Sequence, residues 1–164
     1  MDRLDAATAL VRIIFGVFLA VHGANKLRNG LAGTASWFGS IGMRWPRGQA
    51  LTAASTEIVA GLMFAAGFLT ALSASAIVAV MTVAIVTVHA RVGFFIFLPD
   101  GGWEYCASIA TVAAAVAVGG AGRLSIDHLL GTGTGPAAGV VMVLAGVLLA
   151  SVHLAASWRP GART

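Results

Sequence analysis

Long apolar stretches dominate this sequence, and their lengths match the thickness of a membrane. A helix needs about 20 residues to cross about 30 Å of hydrocarbon, at about 1.5 Å per residue. The apolar stretches cover residues 4–21, 49–88, 103–118 and 136–158. The second stretch is long enough for two spans. The pattern therefore predicts five membrane helices, with the second and third joined by a tight turn at residues 67–73.

Five crossings sort the connecting segments onto two membrane faces. The first face receives the N-terminus, the turn near residue 70 and residues 119–135. The second face receives residues 22–50, residues 89–102 and the C-terminus. Most cations fall on the second face, namely Lys26, Arg28, Arg44, Arg47, Arg91, Arg159 and Arg163, against Arg3 and Arg123 on the first. By the positive-inside rule, this bias predicts a cytoplasmic second face.

Composition supports a membrane protein of one compact bundle. Of the 164 residues, 59% are hydrophobic and 10% are charged, and the mean hydropathy is +0.92. A soluble domain has about 25% charged residues. The sequence thus predicts an all-α, polytopic membrane helix bundle that has the lipid bilayer as its surroundings. The net charge of +4 comes from scattered cations, which argues against nucleic acid as a partner.

Two ionisable residues, Arg12 and Glu57, lie inside predicted spans. An ionisable side chain at this depth is costly and marks a functional site by default. Arg12 and Lys26 share one helical face, with Gly16 and Gly23 between them. Gly23 leaves room for a neighbouring helix or a ligand to approach. The first predicted span therefore offers one polar stripe that ends at the second face.

The polar residues of four helix ends are expected to converge near the second face, and only Arg12 lies deeper. The candidate ligand-binding residues are Arg12, His22, Lys26, His89, Arg91 and Glu104, with Glu57 as the candidate proton carrier. One interpretation is structural, since buried Arg and Glu neutralise each other. The other is a site for a small anionic or quinone-like ligand. The cations and histidines then donate hydrogen bonds to its oxygens, and a carboxylate handles a proton.

Metal and thiol chemistry have weaker support. The histidines His22, His89 and His153 show no HxxxH or ExxH spacing, so no metal site is predicted. The lone Cys106 excludes an internal disulfide and is treated as a small buried hydrophobe, with a reactive thiol as the alternative. Gly135 and Gly139 form a small-xxx-small pair, for which packing within the chain is favoured over a dimer interface.

A series of ordered motifs resembles the DoxX family of small bacterial membrane proteins. The segments that carry the resemblance lie between residues 8 and 130 and read RIIFGVFLAVHGANKL, TASWFGSIG, ASTEIVAGLMFAAGFLT, HARVGFF, GGWEYC and GAGRLSID. Family members are typically four-helix proteins. The resemblance therefore implies a four-helix domain at residues 1–130, followed by an additional C-terminal membrane helix and short tail at residues 131–164. The motif residues are Arg12, His22, Lys26, Glu57, His89, Gly93 and Glu104.

The resemblance also implies a functional setting. The family takes its name from subunits of a thiosulfate:quinone oxidoreductase, and actinobacterial members are associated with a membrane oxidoreductase complex. We therefore expect a multi-pass protein of the bacterial cell membrane that belongs to an oxidoreductase system. Its polar pocket would bind quinone, the candidate cofactor, or thiosulfate or sulfite, and whether it catalyses a reaction stays open.

A non-catalytic role is the alternative to this expectation. The protein would then be a scaffold or accessory subunit of a larger membrane complex, with residues 136–158 as the surface for a protein partner, or it would form a homo-oligomer. A transporter fits less well because the charges cluster on one side of the membrane.

Overall fold

The computed structural model describes residues 2–28 and 30–161. The helices are α1 (Arg3–Arg28), α2 (Leu31–Ser40), α3 (Pro46–Ala66), α4 (Thr70–Thr87), α5 (Glu104–Gly119), α6 (Ile126–Leu130) and α7 (Pro136–Ser157), with a 3₁₀ turn at His89–Arg91. Four of them, α1, α3, α4 and α7, are long and apolar enough to cross a membrane. The fifth apolar helix, α5, has 16 residues. The predicted all-α membrane bundle is confirmed.

Two helices lie in segments that the hydrophobic pattern leaves as loops. The helix α2 has 10 residues and α6 has 5 residues, so neither is long enough to cross a membrane. The predicted loop at residues 22–50 is therefore corrected to the end of α1, a short surface helix and the start of α3. The tight turn between α3 and α4 contains Gly67 and Leu69, both with positive φ, at 65° and 44°.

Helix α1 packs most extensively along α3, and glycines make this close approach possible. A Cβ added at Gly16 would lie 2.9 Å from Ala65 Cβ, and one added at Gly23 would lie 2.9 Å from Glu57 Cβ. Both positions therefore require a residue without a side chain. The contact at Gly23 brings α3 against the last turns of α1 at the level of Glu57.

Helix α4 contributes much of the apolar core. Its buried residues Ala74 and Ile77 pack with Phe64 of α3 and with Ile109 and Ala113 of α5. Helix α7 packs against both α4 and α5.

Two of the glycines on α7 make this packing close. A side chain at Gly139 would collide with the Ala117 backbone, and one at Gly146 would collide with the Ser75 backbone. Gly135 has open space around it. Of the small-xxx-small pair, only Gly139 therefore serves this packing.

Hydrogen bonds join helix ends that the sequence assigns to the same membrane face. At the first face, the Arg123 amide donates to Asp5 Oδ1 at 2.9 Å. At the second face, the Arg44 amide donates to the Ser157 carbonyl at 2.7 Å, and Trp158 Nε1 donates to the Ile41 carbonyl at 2.9 Å. The end of α7 is thereby attached to the segment between α2 and α3. Arg163 lies outside the described residues.

Candidate functional site

An ion pair between α1 and α3 is the centre of the candidate site. Lys26 Nζ lies 2.5 Å from Glu57 Oε1, and the two side chains are 26% and 5% exposed. Lys26 stands in the last turn of α1, three residues beyond the close approach at Gly23. The second carboxylate oxygen, Glu57 Oε2, is buried and has no hydrogen-bond partner among the described residues. The ion pair therefore leaves Glu57 Oε2 as a buried hydrogen-bond acceptor without a partner among the described residues.

The first turn of α5 borders this ion pair. The rings of His22 and Tyr105 have centroids 5.9 Å apart. Tyr105 and the buried Cys106 both lie within electrostatic range of Glu57. The surroundings thus combine an ammonium group, a carboxylate, an imidazole, a phenol and a thiol. Sequence reasoning did not single out Tyr105, although it directly follows Glu104 in the GGWEYC motif.

His89 and Glu104 hold the loop at residues 92–103. His89 Nδ1 lies 2.7 Å from the Gly101 carbonyl oxygen. Because a carbonyl only accepts, Nδ1 carries the hydrogen in this contact. Glu104 Oε2 accepts a hydrogen bond from the Ile96 amide at 3.1 Å. Both side chains therefore hold the backbone of this loop.

Two of the predicted cations lie apart from the ion pair. Arg91 is exposed, and its guanidinium lies 6.0 Å from the centroid of the Trp158 ring. Arg12 precedes Lys26 by fourteen residues, a distance of about 21 Å along the helix. Of the seven predicted site residues, the structure joins Lys26 and Glu57 directly. His22 lies one helical turn before Lys26, and its ring faces Tyr105.

Arg12 instead lies at the first face, where it binds backbone oxygens. Its guanidinium donates to the carbonyls of Phe64 at 3.3 Å, Ala65 at 3.2 Å and Leu124 at 2.6 Å. The first two belong to the last turn of α3, where carbonyls lack partners within the helix and the helix dipole favours a cation. The contacts of Arg12 thus complete the end of a helix.

Asp127 is a buried acid that sequence reasoning missed. Its carboxylate accepts hydrogen bonds from the amides of Leu69 and Thr70, both at 2.8 Å, and from Thr132 Oγ1 at 3.0 Å. Burial raises its pKa, but the hydrogen bonds from Thr70, Thr132 and Leu69 lower the pKa of Asp127 below its ordinary value. Ser125, two residues earlier, caps α6 and is the one signal in the sequence for this turn.

Two surface grooves lie away from the ion pair. One, of about 300 Å³, is bordered by Val59 and Met63 of α3 and by Leu72 of α4. The other, of about 530 Å³, lies between α2 and the start of α3. Neither is lined by Lys26 or Glu57. Among the described residues, no cluster of three or more His, Cys, Asp or Glu side chains could hold a metal ion.

Comparison with known proteins gives a family match and one relative, each covering about half of the chain. The family model described as DoxX matches residues 7–90, which include most of α1, all of α2 to α4, and His89. A protein named "Putative oxidoreductase CatD" from Bacillus subtilis (strain 168) is 32% identical over 90 residues, which are 55% of this chain and 65% of that protein. The match thus spans less than two thirds of the relative's length. No solved structure matches.

Proposed function

This chain belongs to the DoxX family, and we propose that it serves a membrane oxidoreductase system by binding a quinone or a small sulfur oxyanion beside Lys26 and Glu57. It is a multi-pass membrane protein. Its similarity to the protein named "Putative oxidoreductase CatD" supports the redox setting. The observation that carries the proposal is the buried Glu57 Oε2, which has no partner among the described residues and lies next to a cation. We place the protein in the bacterial cell membrane.

The two side chains divide the chemistry between them. The Lys26 ammonium has three N–H donors, and its contact with Glu57 Oε1 leaves donors for the oxygens of a quinone or of thiosulfate. Because Lys26 is partly exposed, a ligand can reach it from the second face. Glu57 Oε2 is placed to accept or release a proton. His22 and Tyr105 form the wall of the site on the side of α5.

The proton carrier is needed because quinone reduction takes up protons together with electrons. With thiosulfate as the donor, two thiosulfate ions, one quinone and two protons give one tetrathionate ion and one quinol. Sulfur is oxidised and the quinone is reduced. In this scheme, Glu57 delivers protons to the quinone oxygens, and Lys26 positions the ring or the oxyanion.

The proposal is tested with purified protein in lipid nanodiscs. A short-chain quinone is mixed with thiosulfate or sulfite, and quinol formation is followed by absorbance. Glu57→Gln is expected to lower kcat by about 100-fold or more, as loss of a proton carrier does. Lys26→Met is expected to raise KM by about 10-fold, as loss of a charged hydrogen bond does. Arg28→Gln is the matched control, because Arg28 is exposed on the same face.

Ligand binding is measured separately from turnover. A ligand present at 100 times its Kd stabilises the folded protein by about 2.7 kcal/mol, so its binding raises the melting temperature even without catalysis. If neither quinone, thiosulfate nor sulfite raises the melting temperature of the wild type, and no quinol forms, the ligand site does not exist.

A second candidate function is a non-catalytic accessory subunit or scaffold. It is favoured by the outer face of α7, where Val141, Leu144 and Leu148 are exposed, together with the backbone bonds of Arg12, His89 and Glu104. In this role, α7 contacts a protein partner or a second copy of the chain. Residues 136–158 are the segment for which the sequence predicts such a surface.

The accessory role is tested by changing only the outer face of α7. The double variant Leu144→Ala/Leu148→Ala is expected to lose a partner that co-purifies with the wild type in fixed ratio, or to change the oligomeric state. Val59→Ala on α3, which is also exposed, is the control. If the partner stays bound to the double variant, the outer face of α7 is not its binding surface.

A further inference from the structure

The short helix α2 lies at the second face and packs against α3. None of its residues is fully buried, and it is too short to span a membrane. Trp37 on α2 is exposed, and its ring lies 5.3 Å from the ring of Phe38. Tryptophan is enriched where a membrane meets water. These features place α2 at the level of the lipid headgroups.

A groove of about 530 Å³ separates α2 from the start of α3. Leu31, Ala35 and Gly39 line one wall at a spacing of four residues, so they share one side of α2. Pro46 and Arg47 line the opposite wall. The groove is apolar along its length and carries a cation at one wall.

Arg47, which lines this groove, and Arg44, three residues earlier, have no acidic partner among the described residues. The Arg44 guanidinium lies 4.5 Å from the centroid of the Trp45 ring, and neither Arg44 nor Arg47 forms an ion pair within residues 2–28 and 30–161. Two carboxylates of the same face are bonded elsewhere, Glu57 to Lys26 and Glu104 to the Ile96 amide. The positive charge beside the groove is therefore available to an anion from outside the chain.

We propose that the groove between α2 and α3 binds one anionic phospholipid. An acyl chain lies along the apolar wall formed by Leu31 and Ala35, and Arg47 contacts the phosphate, with Arg44 as the second cation. Guanidinium groups match phosphate oxygens through paired N–H donors. The second face is also the one that the positive-inside rule assigns to the cytoplasm, where anionic lipids attract basic segments. This binding is independent of the quinone or oxyanion site at Lys26.

The test compares retention of phosphatidylglycerol and phosphatidylcholine. The full chain is placed in nanodiscs that contain equal amounts of the two lipids, and the lipids that stay bound on release are counted by native mass spectrometry. The wild type is expected to retain phosphatidylglycerol preferentially. Each cation near a membrane surface contributes about fivefold to the binding of an anionic lipid. The double variant Arg44→Gln/Arg47→Gln is therefore expected to lower the preference by about 30-fold.

Arg3→Gln/Arg123→Gln removes the same charge from the first face and is expected to keep the preference. Ala35→Trp fills the groove but keeps both arginines, and it is expected to lose the bound lipid as well. The proposal is overturned if the Arg44/Arg47 variant retains phosphatidylglycerol like the wild type. It is also overturned if Ala35→Trp retains the lipid, or if the groove is covered by a second copy, seen as a dimer that only the groove variants disrupt.

Discussion

Lys26 and Glu57 differ in exposure. This difference decides whether each charged group can reach water when its partner is removed. The carboxylate is buried, whereas the ammonium group is partly open to the second face. A lysine near a helix end can extend to the headgroup region and remain solvated. A buried glutamate in the fourth turn of α3 has no such route. Loss of Lys26 should therefore lower the stability of the protein more than loss of Glu57.

We expect Lys26→Met to destabilise the protein more than Glu57→Gln. Lys26→Met leaves a buried carboxylate without a cation, which lowers the free energy of unfolding by about 3 kcal/mol. Glu57→Gln leaves a lysine that can reorient, so the loss is about 1 kcal/mol. The double variant should be more stable than Lys26→Met alone. Unfolding in mixed micelles, followed by tryptophan fluorescence, measures the three values, and equal losses in both single variants contradict this account.

Residue positions around a helix were easier to predict than the targets of the side chains. Arg12 and Lys26 do share one face of α1, because the helical repeat follows directly from spacing. Their separation along the axis places them at opposite membrane faces, and Arg12 binds carbonyls that belong to distant residues. Which oxygen a guanidinium reaches depends on the packing of α1 against α3, and no local pattern encodes that packing.

At the scale of elements, the turn between α3 and α4 is held from both sides. Arg12 donates to carbonyls at the end of α3, and Asp127 accepts from the first amides of α4. Each charge is placed where the helix dipole favours it. Gly67 lies between them, and a Cβ there would collide with Arg12. Two helix ends that a tight turn leaves without partners are thereby satisfied by charged side chains from α1 and α6.

We expect the contribution of Asp127 to disappear at acid pH. Its pKa is lowered from the ordinary 3.8, so its ionised form stabilises the fold above that pH. The stabilisation is lost as the pH falls through the lower native pKa. Asp127→Asn is therefore expected to be less stable than the wild type at pH 6, with the difference shrinking below about pH 4. Melting temperatures measured in detergent from pH 6 to pH 3 test this.

Asp100→Asn is the matched control for the acid titration. Asp100 is exposed in a loop and has a φ of 71°, a conformation that Asn also adopts readily. Its pH profile should follow that of the wild type. An Asp127→Asn profile parallel to the wild type over the whole range would mean that Asp127 does not supply this stabilisation.

The elements themselves were largely predictable from hydrophobicity, because lipid requires apolar side chains and a helical backbone. The five predicted spans correspond to α1, α3, α4, α5 and α7. Helix α2 was missed because a membrane-length window does not detect 10 residues rich in Gly, Ala, Ser and Thr. Helix α6 and Asp127 were missed because they lie in a glycine-rich segment whose order depends on contacts with the α3–α4 turn.

At the scale of the whole molecule, the charges divide unevenly between the two ends of the bundle. Lys26 pairs with Glu57, which removes one cation from the balance. The second face still has Arg28, Arg44, Arg47, Arg91 and Arg159 within the described residues, whereas the first face has Arg3, Arg12 and Arg123. Cations next to spans favour the cytoplasmic side. The proposed ligand site and the lipid groove would both open to that side.

We expect cysteine labelling to place the second face in the cytoplasm. Gly48 near the start of α3 and Gly133 before α7 have open space around an added side chain, so Gly48→Cys and Gly133→Cys should leave the fold intact. With the buried Cys106 changed to Ala as background, a membrane-impermeant maleimide applied to intact cells should label Gly133→Cys alone. Both should react after permeabilisation. Labelling of Gly48→Cys alone in intact cells would show the opposite orientation. The cation-rich face, to which the proposed site at Lys26 and Glu57 opens, would then lie outside the cytoplasm.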